Sequence, residues 1–383
     1  MRKLLGFSIF CFLITIASLP WLLSVSASAK SQQSPKESND ELKQFAALEP
    51  VDTHTHVFKN DPAFHAMLNR LHLHLVDICV FTDKQPAFPT LQAQIDADLA
   101  VTRASQGHVS FCTTFDPFQF NSAHFAADTV QQLDRDSRNG AVAVKIWKNI
   151  GMELQTPDGK FVMPDDPAFS PIYAAIAAHH MTLIAHVAEP NSCWEPPNPS
   201  SPDYSYYQEH PEWYMYGKTG FPSKQQILAA RDHLLVENPN LHVVGAHLGS
   251  MEVDVDEIAK RFDRYPNFAV DTAARVAYLA FQPRDKVRAF LIKYQDRVLY
   301  GTDLEYGRNS SSDHLQEWES TYLRDWRFFS TNETVEFEGR KFQGLQLPND
   351  VLRKLYHENA AHWIPALKLQ TNAGPCSTNR LSR

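Results

Sequence analysis

The stretch 51-VDTHTHVF-58 sets an aspartate and two histidines at alternate positions between valines and a phenylalanine. Val51, Val57 and Phe58 give it strand character. Strand side chains alternate between faces, so the spacing predicts Asp52, His54 and His56 on one face and Thr53 and Thr55 on the other. Three ionisable groups on a buried face are costly unless something neutralises them, and a metal ion would. The competing reading of these eight residues is an exposed strand with a chance His-x-His.

Beyond this strand, short apolar runs alternate with helical patterns. Further strands are predicted at 75–82, 108–115, 141–147, 182–187, 241–247, 267–271 and 297–302. Helical periodicity covers 92–106, 123–138, 171–180, 223–236, 254–264 and 284–295. Such alternation implies parallel βαβ units. Eight strands over roughly 250 residues match a (β/α)8 TIM barrel, placed at 47–368. A doubly wound open sheet is the rival, but no glycine-rich phosphate motif follows any strand. Two βα connections are enlarged, 148–167 after the fourth strand and 188–222 after the fifth. The second is rich in Pro, Trp and Tyr. Both leave the barrel face where active sites occur, and both are expected to form a substrate lid.

Flanking segments read differently. Residues 1–29 carry Arg2 and Lys3, an apolar run and a small-residue Ala27-Ser28-Ala29 ending, the pattern of a signal peptide cleaved near Ala29. Export to the periplasm or medium is therefore expected, with membrane anchoring as the alternative if the leader stays uncleaved. Residues 30–46 are polar and read as a linker, and 369–383 as a C-terminal tail. The net charge of −8 argues against nucleic acid or an anionic membrane as partner. A small-molecule substrate is the partner expected, with a homodimer left open. Cys79, Cys112, Cys193 and Cys376 fit neither a zinc ribbon nor a Cys-x-x-Cys motif.

The strand ends carry the chemistry. The fifth ends at His186, the sixth at His247 and the eighth at Asp303, each closing an apolar run. Parity predicts a shared inward face through Ile184 and His186, through Val243, Gly245 and His247, and through Leu299, Gly301 and Asp303. Imidazoles and a carboxylate converging on a barrel axis suit a divalent ion, zinc first and manganese second, as one or two ions. Lys145, inward by parity with Ala141, Ala143 and Trp147, has three readings: substrate contact or structural pairing, a carboxylated lysine bridging two metals, or a surface lysine. Asp271 and Arg275 could reach the same mouth, where Arg275 would suit an anionic substrate group; a loop salt bridge is the alternative. Trp147 is a further substrate-lining candidate, with Glu189 and Trp194 behind it. His124, His179, His180, His210 and His233 have no convergent partner and read as surface or packing residues.

The order D-x-H-x-H on strand one, His on strands five and six, and Asp on strand eight resembles the amidohydrolase superfamily. Within it the chain is similar to the amidohydrolase-related branch that includes aminocarboxymuconate-semialdehyde decarboxylase. The resemblance runs from about residue 50 to 365. It ends in LYHENAAHWIP, where His362 and Trp363 stand in place of the usual Arg-Leu. By position it implies that His54, His56, His186 and Asp303 bind metal, with His247 as acid/base and Asp303 also a proton acceptor. Asp52, one step deeper, is expected to support the site. The resemblance leads to a hydrolase that uses a metal-activated water on an amide, ester or lactone of a small substrate with a carboxylate expected. Nonoxidative decarboxylation at the same site is the alternative. A binding protein on an inherited barrel is the non-enzymatic rival.

Overall fold

The computed structural model describes residues 35–82, 88–307 and 309–369; the leader, most of the tail and Cys376 lie outside them. Eight parallel strands follow the order of the chain: β1 Val51–Val57, β2 His74–Ile78, β3 Val109–Thr114, β4 Ala141–Ile146, β5 Thr182–Ala185, β6 Val243–Gly245, β7 Phe268–Asp271 and β8 Val298–Leu299. A short β9, Leu304–Tyr306, pairs in parallel with β1 through Thr55–Leu304, His56–Glu305 and Val57–Tyr306. The expected eighth strand, 297–302, is thus shortened to Val298–Leu299, and β9 lies beyond its predicted end. β8 pairs with β7 and β9 with β1, and the (β/α)8 barrel closes across the break between them. The helices fall where the periodicity placed them, for example Lys224–Glu237, opened by a Ser223–Gln226 capping box.

Two apolar layers follow from the alternation. Val76, Ala143, Ile184, Val244, Ala269 and Leu299 fill the barrel, closed below by Trp363, Ile364 and Leu367. The opposite strand faces, with Val144, Leu183, Val243 and Val270, pack against the helices. Residues 35–46, expected as linker, fold instead as the helix Pro35–Ala46. Phe45 is fully buried against Tyr322 and Trp326, and Glu41 pairs with Arg327, which the polar composition concealed. A helix at Ser312–Ser330 and a hairpin, β10 Thr334–Phe337 with β11 Arg340–Gln343, also escaped the sequence reading. Cys79, Cys112 and Cys193 are buried free thiols.

Three parity expectations change, one of them in β4, where Ala141 packs with the helix layer and Val142 with the barrel interior. The β1–β2 register shifts between Asp52 and Thr55. Val51 therefore joins the barrel interior, while Asp52 bonds Tyr322 of the outer layer and leaves the face of the two histidines. In β6, Val244 and Ala246 point inward, not Val243 and Gly245. His247 reaches the mouth through a left-handed turn, with His247 at φ 58°, Leu248 at φ 57° and Ser250 at φ 57°. Gly245 leaves room for that turn. A Cβ there would stand 2.8 Å from Phe268 Cζ and 2.9 Å from Gly249 Cα. Gly245→Ala is expected to cost about 1–3 kcal/mol in denaturant unfolding, as overpacked sites do.

Candidate metal centre

The loops leaving β5, β6, β7 and β8 each carry a non-glycine residue in the left-handed region near their start: Ala188 at φ 63°, His247 at 58°, Ala274 at 53° and Asp303 at 68°. Such backbone costs of order 1–3 kcal/mol per residue and persists where the surroundings enforce it. Here the enforcement comes from the strand ends. Asp303 N donates to His54 O at 2.8 Å, and Ala274 N to Thr302 O at 3.0 Å. Asp52 accepts from Thr302 N and from Thr302 Oγ1, and so braces the corner that presents Asp303. Burial pushes the Asp52 carboxyl up to about 7. Asp52 thus touches the Thr302 corner and the backbone N–H of His54, at 3.1 Å, while its carboxyl lies off the face that carries the two imidazoles.

His54, His56 and Asp303 bring one ligand atom each within 4.8 Å of one another, and they form the only such group of three among the described residues. Asp303 Oδ1 lies 3.4 Å from His54 Nε2 and 3.3 Å from His56 Nε2. The other ring nitrogens settle the tautomers. His54 Nδ1 donates to Asp271 Oδ2 at 2.9 Å, and His56 Nδ1 to the Ile78 carbonyl at 2.8 Å. With both protons on Nδ1, two Nε2 lone pairs face a carboxylate oxygen. Three electron-pair donors aimed at one point repel unless positive charge sits among them; the Lys145 amine, 3.0 Å from His54 Nε2, meets one of them, and a divalent ion would meet all three.

The other expected residues gather around this group. The His186 ring packs on His247 at 4.3 Å between centroids, and His247 on His54 at 4.8 Å. His186 is thus in the same pocket but outside the group of three. His247 Nδ1 donates to Ala273 O at 3.0 Å, turning its Nε2 to the cavity side of the ring. Burial holds His54, His186 and His247 below the usual imidazole range, His247 at about 3. Lys145 is 1% exposed, and its Nζ lies 3.0 Å from His54 Nε2. Burial pushes it down to about 8 against the pull of Asp271 and Asp303. The surface reading of this lysine is excluded by its position.

A cavity of about 480 Å³ opens above these residues, lined by Phe58, Trp147, Lys148, Glu189, Tyr206 and Arg275 among others. Arg275 spends Nη1 on the neighbouring Ala274 carbonyl, and its buried Nε has no partner. Trp194 instead bonds Pro222 O and stands off the cavity. Lys148 escaped the sequence reading. It pairs with Glu189, bonds Tyr206 Oη at 2.5 Å, and lies over Trp147 and Trp213 at 5.0 and 4.6 Å. It thereby fastens the loop after β5 to the end of β4. Its sequence signal was the aromatic company, Trp147 beside it and Tyr206 and Trp213 in the insert. His179 Nε2 lies 2.6 Å from Asp134 Oδ1 and His233 Nδ1 3.0 Å from Asp165 Oδ2, and neither residue lines the cavity.

A family model described as Amidohydrolase matches residues 51–365. No curated protein matches the sequence. Among solved structures, 5-carboxyvanillate decarboxylase LigW from Sphingomonas paucimobilis is 15% identical, with 83% of this chain and 99% of that one covered and a TM-score of 0.48. The 2,6-dihydroxybenzoate decarboxylase from Rhizobium is 14% identical over 82% and 98% of the two chains, with a TM-score of 0.47. A dihydroxybenzoic acid decarboxylase from Polaromonas sp. JS666, bound to manganese and 2-nitroresorcinol, is 12% identical over 84% and 98%, with a TM-score of 0.49.

Proposed function

Because the chain belongs to the amidohydrolase family, we propose that it is a metal-dependent enzyme whose reaction is the nonoxidative decarboxylation of a small, ring-bearing carboxylic acid. The observation that carries this reading is Lys145. Its amine is buried at the floor of the metal cradle, with His54 Nε2 as its hydrogen-bond partner and no ion pair to any described carboxylate. A buried amine facing a cavity in this way suits an anionic group brought in by the substrate. Arg275, with its unpartnered Nε, offers a second cation at the rim of the same cavity.

His54, His56 and Asp303, with His186 adjoining, would hold the ion, and the two-nitrogen, one-oxygen donor set suits zinc or manganese. When bound, the ion supplies Lewis acidity to a substrate oxygen. Lys145 then orients the carboxylate, while Trp147 and Tyr206 offer ring faces to the substrate. Asp303, with its side chain 30% exposed, can take a proton from solvent and pass it to the ring carbon that bears the carboxylate. The C–C electron pair returns to the ring as carbon dioxide departs, and the proton fills the vacated position.

Hydrolysis is the second reading, and one observation favours it. Asp303 rests ionised, and His247 rests with Nε2 unprotonated, so the resting pocket offers bases able to take a proton from water. The test is direct. Metal-loaded protein is offered aromatic carboxylic acids and, separately, lactones and amides in ¹⁸O-water. Carbon dioxide release without ¹⁸O in the organic product supports decarboxylation; ¹⁸O incorporation without carbon dioxide sinks it in favour of hydrolysis.

A further inference from the structure

We propose that Asp271 is a positioning residue that sets the orientation of two site histidines at once, a role resting on the reading of His54 as a metal ligand. Asp271 ends β7, is fully buried and lines no part of the cavity, so it touches neither substrate nor ion. Its two oxygens are divided between two tasks. Oδ2 accepts the Nδ1 proton of His54 at 2.9 Å, which leaves the lone pair of His54 Nε2 turned towards Asp303 and the Lys145 amine. Oδ1 accepts the backbone N–H of His247 at 2.8 Å and of Ala273 at 3.1 Å. The Ala273 carbonyl in turn accepts the His247 ring N–H at 3.0 Å.

The corner 271–273 therefore holds His247 at its backbone and at its ring, in a turn whose positive φ a histidine seldom adopts unaided. The same carboxylate reaches across the barrel from β7 to β1. One group thus fixes the ring of a proposed ligand and the turn carrying the proposed acid/base residue. Ring orientation and tautomer of a metal-binding histidine follow from the partner of its second nitrogen, so Asp271 acts on metal affinity through His54.

Asp271→Asn keeps the size and removes the second acceptor. Its amide oxygen can serve the two backbone N–H groups, which leaves its NH2 facing His54 Nδ1. His54 must then carry its proton on Nε2, the atom that faces the cradle. The expected result is a folded protein whose zinc or manganese affinity, measured by chelator competition, falls on the order of 10–100-fold. In the metal-free variant, ¹⁵N shifts of the His54 ring should move to the Nε2–H pattern. A folded variant with wild-type metal affinity and an unchanged tautomer overturns the proposal. Should the variant not fold, the metal-free wild type decides: Nδ1–H on His54 supports the role and Nε2–H sinks it. That readout needs no metal, so failure of the metal reading and failure of the Asp271 role appear separately.

Discussion

Replacing Asp303 with asparagine is expected to lower kcat by about 10²–10⁴-fold, the range for loss of a general acid or base, without weakening the metal-free fold. The expectation about stability comes from what Asp303 touches. Its Oδ1 stands 3.3 and 3.4 Å from two Nε2 atoms whose rings already carry their protons on Nδ1. In the metal-free protein lone pairs meet there, only His54 Nε2 having the Lys145 amine as a partner, and an asparagine NH2 would add a hydrogen bond to one of the rings. The variant should therefore unfold in urea at the same midpoint as the wild type or a higher one. Metal reverses the order. An ion present at a hundred times its Kd stabilises the native wild type by about 2.7 kcal/mol, and the variant, short of one ligand, gains less. Urea midpoints with and without zinc or manganese, beside steady-state rates, check both halves. Unchanged turnover, or a metal-free variant clearly weaker than wild type, would mean that Asp303 serves the fold and not the chemistry.

The sequence made the barrel legible because period-two and period-3.6 hydrophobicity survive any detail of packing. β1 is observed as Val51–Val57, the span predicted from VDTHTHV, and β3 to β5 lie within two residues of their expected bounds. What alternation could not show was its own interruption. A register shift in β1 turned Asp52 away, and a left-handed turn after β6 brought His247 in where strict parity would have used Val243 and Gly245. Both depend on backbone states that cost little to write in sequence and leave no composition signal. The converging residues survived because each was identified by its place at a strand end, which a local kink re-aims but does not move far. Asp271 obeyed the same rule, ending the apolar run of β7, yet its work lies beneath the mouth. The helix Pro35–Ala46 stayed hidden because one buried aromatic, Phe45, and one ion pair, Glu41–Arg327, anchor an otherwise polar segment.

Behind β1, Asp77 and Asp98 give the second large expected effect, this one on stability. Asp77 Oδ1 accepts from Val57 N at 2.8 Å, and Asp98 Oδ2 accepts from Cys79 Sγ at 2.7 Å. Their remaining oxygens, Asp77 Oδ2 and Asp98 Oδ1, are buried without a partner. Burial raises both acids, and the Asp98 charge raises Asp77 further, which puts Asp77 well above the carboxylate range and Asp98 at about 7. The folded protein therefore keeps protons that the unfolded chain releases near pH 4. The sign follows: this stabilisation is complete below about pH 4 and is lost as pH rises through about 7. For Asp98 the loss is on the order of 4 kcal/mol, a large part of the roughly 5–15 kcal/mol that holds a domain together. Asp98→Asn imitates the protonated acid at every pH and can still accept from Cys79. Its urea stability should match wild type at pH 4 and exceed it by about 2–4 kcal/mol at pH 8. A mere packing defect would shift both pH values downward together, so parallel curves for the two proteins would refute the shared-acid account. A gap that opens only as pH rises would place the titrating pair directly behind the strand that carries His54 and His56.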